Sequence, residues 1–461
     1  MTPAAAAPPA SGRVLTAVAL AAALTPLNST MIAVALPAMA LSFDAAPASV
    51  TLLVITGYLL ATLVFQMPAG NVADRLGYAR ALSLGRWIFG AGAVAAVVAP
   101  GLPVVVLGRL LMAAGGALMV PTAMALLRVA VPATRRARAF GTMGAVMAGA
   151  AAVGPAVGGL MLAPFGWRAL FLVNLPLLAA SALLQGPTPA GAVSGTNTRR
   201  TFDWPGTLLL GGSLVLLVAA SRLGGAMAVT CALGGGLLLV LLVRQERRAP
   251  APVVDLTLFD NRGFVAGSGV IALQNLAMYS LLALVPFLFG AGRDAAGRAA
   301  ISLAIVAMTA AMAVTSPLGG WLTERVNLRG LVAAGSLAGA AGVLWLAALP
   351  ASASPGALGL RLLVIGAAIG LTTGPAQAGA LSAVEASHAG MASAALSMFR
   401  YTGGIAGTVI LGYAMGGAGR EAVAMRIFIA AFVLAAGAAA MLGGHDARRT
   451  AGRKRDSPPD R

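Results

Sequence analysis

Gly70-Asn71-Val72-Ala73-Asp74-Arg75-Leu76-Gly77 recurs, in altered form, as Gly320-Trp321-Leu322-Thr323-Glu324-Arg325-Val326-Asn327. The shared pattern is Gly, three residues, an acid, Arg, one residue, then Gly or Asn. Asn is the commonest substitute for Gly in a left-handed turn, so both octapeptides are expected to turn at their last residue. A second echo follows each copy: Arg109-Leu110-Leu111 after the first and Arg361-Leu362-Leu363 after the second. The acid-to-Arg separation is 35 residues in one copy and 37 in the other. A chain that repeats itself at this distance is built from two related halves.

The segments around these loops are apolar. A membrane-spanning helix needs about 20 mostly apolar residues, and fourteen such runs are expected: 14–38, 50–71, 80–99, 103–127, 139–162, 168–186, 204–221, 225–243, 264–290, 299–322, 330–349, 357–381, 391–415 and 421–443. The octapeptides follow spans 2 and 10, so spans 1–6 and 9–14 correspond and spans 7 and 8 are inserted between them. The fold class is all-α polytopic: two six-helix bundles plus two inserted central helices. The expected divisions are an N-terminal six-helix bundle over 1–190, the inserted pair with its linkers over 191–262, a C-terminal six-helix bundle over 263–443, and a basic tail over 444–461. Parallel repeats of this kind place a substrate site between the halves, near the bilayer midplane.

Composition agrees. Of the 461 residues, 59% are hydrophobic and only 10% charged, with a mean hydropathy of +0.90. A soluble domain carries roughly a quarter charged residues. The net charge of +18 comes from arginines in short loops after even-numbered spans, such as Arg75, Arg80, Arg135, Arg136, Arg247, Arg325 and Arg329, and from the tail. The loop with Arg293, Asp294 and Arg298 is the main exception. By the positive-inside rule the even-numbered loops and both termini are cytoplasmic, and the membrane is the inner membrane of a bacterial-type cell. Nucleic acid is not the expected partner, since the basic residues form no folded basic domain. Arg13 and the run ending Ala38-Met39-Ala40 match a signal peptide weakly, but the run is too long for a usual signal core. Cys231 is the only cysteine, so no intrachain disulfide forms. His388 and His445 cannot make a metal site alone. No phosphate loop, zinc spacing or nucleophile motif is present, so no enzyme, cofactor or direct ATP drive is expected.

Together these residues resemble the major facilitator superfamily, and specifically its fourteen-helix drug/proton antiporter branch, over roughly residues 14–443. Gly70, Asp74, Arg75, Gly77 and Arg80, with Gly320, Glu324 and Arg325, resemble the superfamily's gating loop. There Gly70 is expected to let span 2 approach a neighbour, and Ala79 stands where a base is usual. In span 4, Arg109 with Gly115 and Gly116 resembles a signature linked to proton relay, although Met112 and Ala113 replace the usual Gln and Gly. Arg109 is equally readable as an Arg snorkelling at the outer membrane surface. Asp74, Arg109 and Glu324 are the relay candidates. Gly154-Pro155-Ala156-Val157-Gly158-Gly159 in span 5 resembles the antiporter signature, with Pro155 as a kink and the glycines expected to approach the other half. Trp167-Arg168, Phe202-Asp203-Trp204-Pro205-Gly206 and Asp255-Leu256 resemble branch-specific helix entries.

The resemblance breaks in span 1, where Asn28 stands in place of the usual Asp. An amide does not titrate, and no other carboxylate falls near a span centre. Arg400, about 14 Å into span 13, reads as the deepest charge, either functional or held by helix carbonyls. Asn28, Thr30, Tyr58, Gln66, Gln274, Asn275, Tyr279, Arg400 and Tyr401 are the substrate-cavity candidates, each equally able to serve as interhelical glue. Gln274, Asn275 and Tyr279 share a helix at close spacing. The implied function is secondary active export of drug-like or metabolite molecules by alternating access, with proton antiport. Neutral, zwitterionic or acidic substrates are favoured. An importer or uncoupled facilitator, and a non-transporting membrane sensor or scaffold, are the alternatives.

Overall fold

A computed structural model describes residues 12–131, 133–186, 203–221, 223, 225–249, 256–290, 295–323, 325–350, 352–384, 389–414 and 419–442. Among the described residues the chain is helical throughout, and its helical passes fall one for one on the fourteen apolar runs. In the N-terminal half they are α1 (Gly12–Ser42), α2 (47–76), α3 (Tyr78–Val97), α4 (Leu102–Ala130), α5 (Ala133–Phe165) and α6 (Ala169–Gln185). The inserted pair is α7 (Trp204–Ala220) and α8 (Gly225–Glu246). The C-terminal half contains α9 (Arg262–Gly290), α10 (Ala295–Leu322), α11 (Leu328–Ala347), α12 (Pro355–Ser382), α13 (Ala389–Ala414) and α14 (Arg420–Ala439). Nine of these stretches, among the described residues, are long and apolar enough by length and composition to cross a membrane. Large apolar side chains such as Leu160, Leu183, Trp87, Leu208 and Leu233 face outward, the surface a bilayer rather than water stabilises.

The two halves pack by one rule. In the first, α1 lies against α4, α5 and α6, α4 against α2 and α3, and α3 against α6. In the second, α9 lies against α12, α13 and α14, α12 against α10 and α11, and α11 against α14. Each of these pairings in one half has its counterpart in the other. The inserted α7 packs on α8 and on α2. Across the halves, α5 meets α10, and the early part of α2 (Pro47–Thr56) meets α13.

Glycine makes the close crossings. A Cβ on Gly92 of α3 would stand 2.5 Å from the Gly108 carbonyl of α4, and one on Gly115 would stand 2.5 Å from the Gly85 carbonyl. Without aqueous solvent to drive association, helices in lipid hold together through such small-residue contacts. Helix ends are capped locally. Asp203 accepts from Gly206 N (2.9 Å) at α7, Asn327 from Arg329 N (3.0 Å) at α11, and Ser354 from Ala357 N (3.3 Å) at α12.

Two passes change helix type along their length, and α6 is broken at Val173, between Leu172 and Asn174. In α1, Ile32–Ala35 tightens to a 3-10 turn; Pro37 has no N–H to give the Ala33 carbonyl, so the α-helical ladder cannot run through this point. In α2, Leu52–Thr56 widens to a π turn, a distortion that often marks functional positions.

Three sequence expectations are corrected here. Gly77 does turn with φ +82°, but Asn327 sits at φ −63° as a helix cap: its short polar side chain serves the α11 N-terminus, not a left-handed turn. Gly70 makes no close helix approach among the described residues, where no neighbouring atom lies within 4 Å of where its Cβ would be. Gly154 and Gly158 face α1 within their own half, against Thr30, Leu27 and Met31, although α5 as a whole does meet α10.

Candidate functional site

The buried polar centre is assembled from α1, α2 and α4. Pro26 leaves α1 without one backbone hydrogen bond, and its own carbonyl accepts from Ser29 Oγ (2.8 Å) and Thr30 Oγ1 (3.2 Å). Thr30 Oγ1 also reaches the Ala151 carbonyl of α5 (2.8 Å). On the same turn, Asn28 is fully buried and its Oδ1 accepts a hydrogen bond from Arg109 Nη1. Arg109 Nε donates to the Val54 carbonyl at 3.1 Å, inside the π turn of α2. The guanidinium lies over the Tyr58 ring, 3.8 Å from its centroid, a cation–π arrangement that gains strength when water is excluded. Tyr58 Oη in turn donates to the Thr25 carbonyl (3.3 Å).

This geometry corrects the reading of Arg109 as a snorkelling side chain: it is 0% exposed, and all its bonds run inward. It also corrects the rank given to Arg400. Arg400 is only partly buried and donates to Gln377 Oε1 (3.1 Å), so Arg109 is the more deeply enclosed charge. Arg86 was missed by sequence reasoning. It is 8% exposed and bonds Ser181 and Ser83; its place six residues inside span 3 was the available signal.

Residues of the second half close over the centre. Tyr279 of α9 shares a hydrogen bond with Ser29 Oγ at 2.9 Å. Thr56 Oγ1 donates to Thr408 Oγ1 of α13 at 2.8 Å. A Cβ on Gly404 would stand 2.9 Å from Tyr279 and 3.1 Å from Leu59, so α13 lies tightly against both. Tyr401 is buried in the same core as Tyr58 and Tyr279.

The remaining candidates are dispersed. Gln274 turns toward α12, donating to Thr372 Oγ1 (2.6 Å) and accepting from Thr373 Oγ1 (3.1 Å). Asn275 bonds its own helix at the Ile271 carbonyl (2.8 Å). Of the three polar residues of α9, Gln274 thus serves α12, Tyr279 serves α1 and Asn275 its own helix. Gln66 is partly buried, with Oε1 enclosed and unpartnered. Pro155 is buried and Gly159 partly buried in α5. Among the gating-loop candidates, Arg75 and Arg80 are exposed, Asp74 lies on the last turn of α2, and Arg325 stacks on Trp321 at 3.9 Å beside an exposed Gly320. Glu324, Glu385, His388, His445 and the basic tail lie outside the described residues. Among the described residues no group of His, Cys, Asp and Glu is placed to hold a metal ion.

What the arrangement offers chemically is a buried, electropositive polar cluster at the seam of two repeats, made of hydroxyls, an amide, tyrosine rings and the Arg109 guanidinium.

A family model described as Major Facilitator Superfamily matches residues 18–408. The chain is 30% identical over 398 residues to the uncharacterized MFS-type transporter YvkA of Bacillus subtilis, spanning 86% of this chain and 89% of that one. It is 32% identical over 399 residues to multidrug resistance protein Stp of Mycobacterium tuberculosis, spanning 84% of this chain and 72% of that one. The crystal structure of a D-xylose-proton symporter superimposes with a TM-score of 0.67 at 14% identity, covering 92% of this chain and 96% of the symporter, a likeness of fold.

Proposed function

We propose, because this chain belongs to the major facilitator superfamily, that it exports drug-like or metabolite small molecules by alternating access, coupled to proton entry, as a member of the fourteen-helix branch. It is a multi-pass membrane transporter and not an enzyme. In this reading it sits in a bacterial inner membrane with both termini cytoplasmic. Residues 1–190 and 263–443 act as the two moving bundles, and the loops after α2 and α10 gate them. The resistance function named for the M. tuberculosis relative supports export.

The observation that carries the reading is the hydrogen bond between Ser29 of the first half and Tyr279 of the second, beside the buried Asn28–Arg109 pair. A polar centre shared by two repeats exchanges its partners when the repeats rock apart, which is how a site between halves alternates its access. The Asn28 amide favours a second reading, an importer or uncoupled facilitator. It leaves proton coupling to carboxylates at the helix ends, Asp74 foremost.

The test is accumulation of neutral, acidic and cationic lipophilic compounds in a pump-deficient bacterial host, with and without a protonophore, beside Asp74→Asn. Lower accumulation that the protonophore and Asp74→Asn both reverse is the expected result. Lower accumulation insensitive to the protonophore overturns the coupling. Unchanged accumulation of every compound overturns export in favour of the second reading.

A further inference from the structure

Arg109 is wholly enclosed, and a guanidinium keeps its charge inside a protein. Its partners are an amide oxygen, a backbone carbonyl and a ring face. All three are neutral. Arg109 Nη2 and Asn28 Nδ2, both buried, have no hydrogen-bond partner. The orientation of the amide follows from chemistry: a guanidinium only donates, so Asn28 must turn its oxygen to it and its NH2 away. The result is two unfilled donor groups beside one uncompensated positive charge. Isolated buried charge is strongly disfavoured unless paired.

No described carboxylate supplies the pairing. The buried ones, Asp203 and Glu246, sit at the first turn of α7 and the last turn of α8, where Asp203 is engaged by Gly206 N and Gln245 Nε2. Asp74 is sixteen residues beyond Tyr58 on α2, roughly 24 Å away at 1.5 Å per residue. Arg400 adds a second cation, bonded to the neutral Gln377. Tyr279, bonded to Ser29 beside the pair, offers only a hydroxyl.

We propose that Arg109 Nη2 and Asn28 Nδ2 form an anion site, and that the transported molecule presents a carboxylate or similar anionic group to it. This rests on the transporter reading and sharpens its substrate class from neutral, zwitterionic or acidic to acidic. The anion enters when α9 and α13 part from α1 and α2, since Tyr279 on Ser29 and Gly404 against Leu59 form the cover over the pair. A neutral amide at position 28 is what keeps the site open to a ligand; a carboxylate there would fill it permanently with an internal counter-ion.

The experiment uses the purified full-length protein and reads its melting temperature against graded 2-naphthoate, 2-naphthamide and chloride. Wild type is expected to show a saturable rise with 2-naphthoate and none with the uncharged 2-naphthamide. Asn28→Asp keeps the size of the side chain and the bond to Arg109, so it reports on charge without removing packing. Asn28→Asp and Arg109→Gln should each weaken the naphthoate response at least about tenfold, the loss of a charged hydrogen-bonded contact. A saturable response to chloride with no response to naphthoate supports the site with an inorganic anion as its source. No response to either anion, or a naphthoate response unchanged in Asn28→Asp, overturns the site. Anion binding without energised export in cells sinks the export reading and leaves the site standing. Energised export of neutral compounds without anion binding does the reverse.

Discussion

Arg109 and Arg361 occupy matching places in the two repeats and have opposite fates. Arg109 is enclosed with Asn28, Val54 and Tyr58, whereas Arg361 is partly exposed, bonding the Trp345 and Ala357 carbonyls and stacking on Trp345 at 4.6 Å. The repeat made the two arginines visible as equivalents, and only the resemblance around Gly115 and Gly116 singled out Arg109. The difference lies in a partner 81 residues away in the chain, and a contact between distant helices leaves no local pattern. Arg361→Gln is therefore expected to leave transport near wild type, while Arg109→Gln abolishes it at equal membrane expression; equal losses in both variants would refute the asymmetry. Glycines divide in the same way. Gly70, conspicuous in a motif, has open space beside it, while Gly92 in an unremarked run meets the Gly108 backbone. Gly92→Ala forces α3 and α4 apart and should lower stability by about 1–3 kcal/mol, read as thermal unfolding in detergent. Gly70→Ala should not.

At the scale of the helix, apolar length carried nearly everything. The helical stretches fall on the apolar runs of the sequence, and nine of them, among the described residues, have the length and apolarity of the about 20 residues that a bilayer crossing requires. That requirement is written locally, unlike the face each helix presents. The span 5 glycines illustrate the limit: their spacing shows a packing stripe, and only the structure shows that Gly154 and Gly158 meet α1 rather than the other half. The inserted pair is secured by a device that the residues around Asp203 did reveal in part. Asp203 Oδ1 accepts from Gly206 N at the start of α7 and from Gln245 Nε2 near the end of α8 (3.1 Å), joining the two helices at one end. Asn caps a helix as well as Asp does, and Ala costs about 1 kcal/mol. Asp203→Asn should unfold with wild type and Asp203→Ala should unfold earlier. A melting temperature for Asp203→Ala equal to that of wild type would show that the cap carries no stability.

Across the whole molecule, the bonds between halves sit to one side of centre. Ser29–Tyr279 and Thr56–Thr408 join α1 and α2 to α9 and α13. Thr56 lies at the end of α2 remote from Gly77, and Thr408 lies in the last two turns of α13. The early part of α2, Pro47–Thr56, also packs against α13. The repeats are thus tied at the end opposite the Gly70–Gly77 and Gly320–Asn327 loops, and this structure is closed there. The repeated octapeptide told that two halves exist; it held no information on which end is shut, because that depends on small free-energy differences between two packings of the same helices. An interhelical hydrogen bond in a membrane averages about 0.6 kcal/mol, so removing both ties should shift the balance of states by roughly 1 kcal/mol, about fivefold. Leu59, fully buried against Gly404, reports that shift when replaced by cysteine in a Cys231→Ser background. A membrane-impermeant thiol reagent applied opposite the basic loops should label Leu59→Cys several-fold faster once Tyr279→Phe and Thr408→Val are added. Labelling that stays at the parent rate would mean that packing of α2 on α13, rather than these two bonds, holds that end shut.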